Sequence, residues 1–217
     1  MACADLQAEA VEETARRLRE RGATALARAC DVSDPESCRA AVRAAVERFG
    51  GLHVLCNIAG ILRFAHSHEV ALAEWNQVLA VNLTGTFLMC QAALPALLES
   101  RGAIVNVSST AALRGHAWTA AYSASKGGVL ALTYELAIEY GQQGLRVNAV
   151  CPGGINTPIQ SAFQVPAGAN PKLVRRIMPF DGFGEAADAA SAIAFLASDD
   201  VRYVNGTMLR VDGAMCT

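Results

Sequence analysis

The alternation of short apolar runs with longer amphipathic segments constrains the fold of this chain more than any other feature. Continuous apolar runs, such as 103–108 and 145–150, are separated by segments of about ten to twenty residues with helical spacing of apolar side chains. Such runs are typical of strands buried on both faces of a parallel sheet. The pattern therefore predicts an α/β fold made of strand–helix–strand units, with helices covering both faces of the sheet.

The predicted elements extend along the whole chain, and we interpret it as one domain, 1–217. Strands are predicted at 2–4, 24–30, 53–56, 103–108, 145–150 and 207–211. Helices are predicted at 6–21, 35–49, 72–79, 81–98, 120–142 and 185–197, with a break near Asn82. The proline- and glycine-rich stretch 156–184 predicts a mobile insertion with one short helix at 171–178.

Composition narrows the possible classes of function. The net charge of −2 does not favour a nucleic-acid or anionic-lipid partner. We expect no membrane partner either, because charges interrupt the apolar runs and the N-terminus lacks a signal-peptide pattern. The seven cysteines contain no Cys-x-x-Cys pair, which favours buried thiols in a reducing cytoplasm over a metal site or a disulfide framework.

Tyr122 and Lys126 are a candidate acid–base pair because they lie one helical turn apart. Ser109 ends the apolar run 104–109, so its hydroxyl is expected at a strand end close to that helix. A lysine ammonium favours the phenolate of a tyrosine, whose unperturbed pKa is about 10. The structural alternative is a half-buried aromatic beside a solvated lysine. It is weakened by the alanine, serine and glycine residues around Lys126.

Six short motifs occur in a fixed order along the chain. They are Asn57-Ile58-Ala59-Gly60, Val81-Asn82 with Gly85, Val107-Ser108-Ser109, Tyr122 with Lys126, Arg146-Val147-Asn148 with Pro152-Gly153, and Val211-Asp212-Gly213. Together they resemble the short-chain dehydrogenase/reductase family over essentially the whole chain, with Ile58 where the family usually has a second asparagine. The resemblance implies a Rossmann-like, doubly wound, three-layer α/β/α fold. It also implies an enzyme that transfers a hydride between NAD(H) and a secondary alcohol or ketone.

The resemblance also implies a role for each of four catalytic candidates. Tyr122 would exchange a proton with the substrate oxygen, and Ser109 would hydrogen-bond the same oxygen. Lys126 would support the tyrosine and bind the nicotinamide ribose. Asn82 would hold a water molecule that connects the lysine to solvent.

A cofactor surface is implied in the same way. Asp5 stands where an acid binds the adenosine ribose and disfavours a 2′-phosphate, so NAD is expected rather than NADP. Asp5 could instead, or in addition, cap the helix 6–21. Asp31 and Val32 match the pair that contacts adenine, with a loop-capping role for Asp31 as the alternative. The other matching positions border the adenine ribose, the nicotinamide amide or the pyrophosphate: Asn57, Ala59, Gly60, Pro152, Gly153, Ile155 and Thr157.

The family pattern further predicts that this chain is incomplete at its N-terminus. The family opens with a strand, a glycine-rich turn and a helix, whereas Met1 matches a position inside the second strand. No Gly-x-x-x-Gly-x-Gly occurs in the 217 residues. We therefore expect the first strand and helix to be absent, with unpaired sheet edges and weak NAD binding. The alternative function that follows is a non-catalytic scaffold lacking the pyrophosphate loop.

The substrate region is predicted to be mostly apolar, which favours an apolar alcohol or ketone. Its expected lining is Leu62, Phe64, Ala111, Leu113, His116, Trp118 and the insertion 158–184. The resemblance implies a homodimer or homotetramer built from the helices 82–99 and 120–142. The small residues of the second helix suit close helix packing.

Overall fold

A computed structural model describes residues 1–180 and 182–216. Its strands are β1 (Ala2–Asp5), β2 (Leu26–Ala29), β3 (Val54–Asn57), β4 (Ala103–Val107), β5 (Arg146–Pro152), β6 (Ile155–Asn156), β7 (Gly184–Glu185) and β8 (Met208–Val211). Its helices are α1 (Ala8–Glu20), α2 (Pro35–Phe49), α3 (Leu72–Leu79), α4 (Gly85–Ser100), α5 (Ala120–Tyr140), α6 (Pro171–Ile177) and α7 (Ala186–Ala197). The predicted elements are confirmed to within a few residues at their ends.

The central sheet is parallel, as predicted. Strands β3, β4, β5 and β8 are hydrogen-bonded in that order, with Val54 opposite Ala103 and Ala103 opposite Arg146. Every strand pair in the described residues is parallel. The carboxyl ends of β3, β4 and β5 therefore lie at one edge of the sheet, which is where this class of fold binds its ligands.

Side chains of the central strands alternate between two helix layers. Ile104 and Val147 are fully buried in the cluster that includes Leu97 of α4. Val105 and Val150 are also fully buried, on the opposite face against Leu196 of α7. Burying each such side chain contributes about 1.5–3 kcal/mol. The helices on both faces confirm the predicted three-layer α/β arrangement.

The prediction that the chain lacks its opening strand is wrong. Residues Ala2–Asp5 form β1, and α1 connects this strand to β2 in a parallel pair with Ala2 opposite Leu26. The family pattern had matched this segment to a second strand, because the sequence contains no glycine-rich turn, whereas a strand is defined by its backbone pairing. That pairing includes the bond from the Cys30 amide to the Asp5 carbonyl (2.8 Å). In the described residues, β1 and β2 form a two-stranded sheet that is not hydrogen-bonded to the four-stranded one.

The predicted break near Asn82 is also confirmed. Helices α3 and α4 are joined by a π-helical turn, Ala80–Thr84, into the continuous segment Leu72–Ser100. An 18-residue stretch of this segment has a mean hydropathy of 1.4, so the helix is long and apolar enough to cross a membrane by length and composition, contrary to the expectation that no apolar run would be. Val78, Ala93 and Leu97 are fully buried, which is typical of a core helix in an α/β domain.

Candidate active site

Hydrogen bonds connect helix α5 to the end of β4, and this junction brings the predicted catalytic residues together. The Lys126 Nζ donates a hydrogen bond to the Val107 carbonyl (2.8 Å), and the Ser108 Oγ donates one to the Lys126 carbonyl (2.8 Å). Tyr122 lies one helical turn before Lys126, with its ring centre 5.9 Å from Nζ. Ser109, Tyr122 and Lys126 line one cavity. The alternative of a solvated lysine is excluded, because Lys126 is only 4% exposed.

Burial controls the charge of Lys126. It lowers the pKa of this lysine to about 8, and the neighbouring Cys151 thiol partly opposes that shift. The ammonium is therefore charged at neutral pH, and within the described residues its one hydrogen bond is to the Val107 carbonyl. A buried charge held this way is costly, which is typical of a functional position rather than a structural one.

Tyr122 and Ser109 form the part of the site that can contact a substrate oxygen. Burial raises the pKa of Tyr122, the Ser109 hydroxyl acts in the opposite direction, and Cys151 raises it further. With Lys126 as the only cation beside it among the described residues, the Tyr122 phenol is therefore protonated at neutral pH. The Ser109 Oγ accepts a hydrogen bond from the Ala111 amide (3.1 Å), which leaves its hydroxyl hydrogen to donate into the cavity.

Asn82 positions the site through direct protein contacts. Its Oδ1 accepts from the Ile61 amide (2.8 Å), and its Nδ2 donates to the Ile61 carbonyl (2.9 Å) and to the Ser125 Oγ (3.1 Å). The π-helical turn thereby connects the segment after β3 to α5. A Cβ on Gly60 would lie 3.4 Å from both Asn82 Oδ1 and Lys126 Nζ. The water-holding role of Asn82 stays a prediction.

The cavity has a volume of about 470 Å³ and largely apolar walls. The predicted lining is confirmed for Leu62, Phe64 and His116 and for several insertion residues: Pro158, Ile159, Gln160, Phe163, Ile177 and Phe183. Phe64 and Phe163 meet edge to face with ring centres 4.8 Å apart. Asp181 of the predicted insertion lies outside the described residues.

Three predicted lining residues do not line the cavity: Ala111, Leu113 and Trp118. Leu113 packs instead against the buried cluster of Leu130, Ala149 and Cys151. Trp118 is buried, and its carbonyl accepts a hydrogen bond from the Ala65 amide (2.9 Å). Its φ of 65° places this bulky residue in the left-handed region, a conformation that sequence patterns do not predict.

Sequence reasoning missed one wall of the cavity. It is formed by Ile58, Met215 and the α7 residues Ala186, Ala189, Ala190 and Ile193. The α7 positions follow helical spacing and form one stripe. That stripe was visible in the sequence, but nothing in the sequence indicated that it faces the cavity rather than only the sheet.

The predicted nicotinamide segment is close to the reaction centre. Pro152, Gly153, Ile155 and Thr157 line the cavity together with Tyr122 and Lys126. Gly60 also lines it, whereas Asn57 and Ala59 do not. Asn57 instead ties β3 to its neighbours, because its Nδ2 donates to the Asn106 Oδ1 (2.9 Å) and to the Cys90 Sγ (3.3 Å).

The predicted adenine-side residues lie at strand ends. Asp5 ends β1, is exposed, and accepts a hydrogen bond from the Gln7 amide (2.9 Å). The N-cap residue of α1 is Gln7, so the alternative role of Asp5 as the N-cap residue is wrong. Asp31 accepts from the amide and hydroxyl of Ser33, and these bonds hold its pKa below the usual range. Val32 follows it and contacts Gly85, where a Cβ would lie 2.8 Å from Val32 Cγ2.

These positions are compatible with a dinucleotide. The exposed Asp5 carboxylate can accept hydrogen bonds from ribose hydroxyls, and Gly60 leaves space beside Lys126 and Asn82. The buried Lys126 ammonium supplies a cation beside the predicted nicotinamide segment. Within the described residues, no cluster of three or more histidine, cysteine or acidic side chains could hold a metal ion.

Comparison with known proteins identifies relatives over almost the full chain. The family described as enoyl-(acyl carrier protein) reductase matches residues 1–215, which include β1. The 2-(R)-hydroxypropyl-CoM dehydrogenase of Xanthobacter autotrophicus is 42% identical over 99% of this chain and 87% of its own length. The D-threitol dehydrogenase of Mycolicibacterium smegmatis is 40% identical over 98% of this chain and 82% of its own.

A solved structure shows the same fold. The crystal structure of an actinorhodin polyketide ketoreductase with NADPH superimposes with a TM-score of 0.89. It is 32% identical to this chain and covers 99% of it and 83% of the ketoreductase.

Proposed function

This chain belongs to the short-chain dehydrogenase/reductase family, and we propose that Ser109, Tyr122 and Lys126 form its reaction centre. The protein is an oxidoreductase that acts on CH–OH groups, moving a hydride between a nicotinamide cofactor and a secondary alcohol or ketone. The observation that carries the assignment of the site is the buried Lys126 ammonium, held by the Val107 carbonyl beside Tyr122 at the cavity wall.

Each residue of the centre has a distinct task. Ser109 donates a hydrogen bond to the substrate oxygen and holds it beside the Tyr122 hydroxyl. In alcohol oxidation Tyr122 accepts the hydroxyl proton, and in ketone reduction it returns a proton to the forming alkoxide. Lys126 stabilises the phenolate electrostatically and is placed to bind the nicotinamide ribose. When bound, the nicotinamide supplies the hydride donor or acceptor.

Asn82 completes the catalytic set as a positioning residue. Its side chain fixes the segment that contains Gly60 against α5, and so sets the space around Lys126 Nζ. The predicted water between Asn82, Lys126 and solvent is part of this proposal. It would supply the proton path that Tyr122 needs after each turnover.

We assign the cofactor as NAD on the basis of Asp5. A 2′-phosphate near this carboxylate would bring like charges together, whereas ribose hydroxyls can donate to it. Asp31 and Val32 are assigned to the adenine, and Asn57, Ala59 and Gly60 to the turn that borders its ribose. Pro152, Gly153, Ile155 and Thr157 are assigned to the nicotinamide amide and pyrophosphate.

Replacing Asp5 with asparagine is expected to relax the preference for NAD. Asp5→Asn keeps an oxygen that can accept from the Gln7 amide but removes the charge. The ratio of kcat/KM with NAD to that with NADP should fall by about tenfold, equivalent to about 1.4 kcal/mol. Glu9→Gln on α1 removes a nearby exposed charge and serves as the matched control. An unchanged ratio in Asp5→Asn would contradict the assignment.

The substrate is assigned as a small, largely apolar alcohol or ketone. The cavity walls include Phe64, Phe163 and Ile193. The rings of Phe64 and Phe163 meet edge to face. The alternative of a non-catalytic scaffold was based on the absent glycine-rich loop, and the dehydrogenases among the relatives favour the enzyme over it. The reducing cytoplasm is the proposed location, since the seven cysteines include no bonded pair.

A homodimer or homotetramer is the proposed assembly, with α4 and α5 as the contact. Phe87, Tyr134 and Ile138 on these helices are 44%, 41% and 84% exposed. Large apolar side chains exposed together on two helices are typical of an interface.

Sedimentation is expected to give a multiple of the 22.8 kDa chain mass. Ile138→Glu should shift the protein toward the monomer, because it places a charge in the contact. Leu173→Glu changes an exposed leucine of α6 and should leave the assembly intact. A wild-type monomer would contradict the assembly.

A further inference from the structure

We propose that His116 hydrogen-bonds a second hydroxyl of the substrate, so that the cavity selects secondary alcohols carrying another hydroxyl on an apolar body. This inference rests on the proposed function, because it takes the cavity beside Tyr122 as the substrate site. It adds a specificity-determining residue that the catalytic set does not include.

His116 is held at a fixed place relative to the reaction centre. It lies in the loop between the 3₁₀ turn Thr110–Ala112 and α5, and it lines the same cavity as Ser109 and Tyr122. The Thr119 Oγ1 donates to the His116 carbonyl (3.0 Å) and is hydrogen-bonded to the Ser123 Oγ (2.9 Å). These bonds connect the His116 backbone to the first turn of α5, which also positions Tyr122.

The His116 ring has unused hydrogen-bonding capacity. Its Nε2 is enclosed by protein and has no hydrogen-bond partner among the described residues. Leaving a buried polar group unpaired costs free energy. An unpaired nitrogen on a residue of the cavity wall therefore indicates a hydrogen-bond partner that the ligand supplies. Gln160, another polar side chain of the wall, is already engaged, because its Nε2 donates to the Ile155 carbonyl (2.8 Å).

The chemistry of the ring selects a neutral partner. Burial, together with the Arg114 charge, lowers the pKa of His116 to about 4. The neutral imidazole offers one donor and one acceptor nitrogen, which suits a hydroxyl group. The Arg114 guanidinium donates to the Arg176 carbonyl, and Arg114 is not among the residues that line the cavity. In the proposed complex the ring turns about χ2, a broad torsion in histidine, so that Nε2 faces the cavity.

Substrate selectivity of His116 variants tests the proposal. The panel comprises cyclohexanol and the cyclohexane-1,2-, 1,3- and 1,4-diols, each oxidised with NAD. The wild type should have a higher kcat/KM for at least one diol than for cyclohexanol. His116→Leu should lower kcat/KM for that diol by about tenfold, the value of one hydrogen bond of about 1.4 kcal/mol, and leave cyclohexanol nearly unchanged. His116→Gln places an amide near the Nε2 position and should restore most of the diol preference.

Equal losses for diol and cyclohexanol in His116→Leu would show a merely structural role and overturn the proposal. So would a diol rate that His116→Leu leaves unchanged, or a wild type that prefers cyclohexanol to every diol.

Direct binding separates this proposal from the proposed function. Calorimetric titration of the same diols into Tyr122→Phe and into Tyr122→Phe/His116→Leu requires no turnover. The double variant should bind the preferred diol about tenfold more weakly and bind cyclohexanol equally well. If the wild type oxidises no alcohol in the panel, the proposed function fails, and the titration still decides the role of His116. Equal diol affinity in the two variants overturns it.

Discussion

Tyr122→Phe is expected to lower kcat for alcohol oxidation by about a thousandfold or more, within the range for loss of a positioned general acid–base group. The substitution removes only the hydroxyl that exchanges a proton with the substrate oxygen. The ring remains, so its packing 5.9 Å from Lys126 Nζ is preserved. The dissociation constant for NADH should change little, because the cofactor contacts assigned to Lys126 and Pro152–Thr157 are intact.

Tyr134→Phe is the matched control for this experiment. Tyr134 lies on the same helix as Tyr122 but is 41% exposed, away from the cavity lining. Loss of its hydroxyl should leave kcat within a factor of about two, since surface substitutions have small effects. Retained turnover in Tyr122→Phe would remove Tyr122 from the proton-transfer step.

Lys126→Met is expected to stabilise the protein while it abolishes turnover. Burial lowers the pKa of Lys126 from 10.5 to about 8, so the folded state holds this charge at a cost when the pH is below 8. Replacing it with an apolar side chain of similar length removes that cost but also removes the hydrogen bond to the Val107 carbonyl. The net gain in the free energy of unfolding at pH 7 should be about 2 kcal/mol.

The difference in stability between the wild type and Lys126→Met should depend on pH, which a change in packing alone would not cause. Between about 8 and 10.5 the unfolded chain binds a proton at Lys126 that the folded chain does not. Stability of the wild type relative to Lys126→Met therefore rises as the pH increases through this window. The advantage of the variant should be full at pH 7 and should shrink by pH 10.

Urea unfolding of both proteins at pH 7 and pH 10 measures the effect. Lys172→Met is the control, because Lys172 is the only other lysine of the chain and is exposed on α6. It should change stability by less than about 0.5 kcal/mol at either pH. A Lys126→Met variant that is less stable than the wild type at pH 7 would contradict the electrostatic account of this site.

The positions of Ser109, Tyr122 and Lys126 could be predicted because each depends on a strong local pattern. The apolar run 104–109 specifies a buried strand, and spacing of four residues on a helix brings Tyr122 and Lys126 to one face. The break at Asn82 was also predicted, but the reason for it was not. A π-helical turn there lets the Asn82 amide meet the Ile61 backbone, a contact between segments 21 residues apart.

The substrate walls were predicted less well because loop direction is not encoded by periodicity. His116 was placed correctly in the cavity, whereas Trp118, two residues later, turns away through a left-handed backbone conformation. The contribution of α7 depends on how that helix is oriented across the sheet. The state of His116, an enclosed nitrogen without a partner, is a property of packing that the sequence alone does not reveal.

The prediction of a missing opening strand was wrong because it depended on one motif, the glycine-rich turn, and not on strand pairing. The family pattern matched Ala2–Asp5 to the second strand, because no glycine-rich turn occurs in the sequence. The segment instead pairs with Leu26–Ala29, and α1 completes a strand–helix–strand unit. Asp5 keeps its predicted place at the carboxyl end of that strand.

The formation of NADH from NAD and the alcohol panel, compared between the wild type and Tyr122→Phe, tests the central claim most directly. The claim is that the cavity beside Ser109, Tyr122 and Lys126 is a proton- and hydride-transfer site for secondary alcohols. The predicted result is NADH formation by the wild type on at least one alcohol, and almost none by Tyr122→Phe despite normal NADH binding. Equal rates in the two proteins, or no NADH with any alcohol, would contradict it.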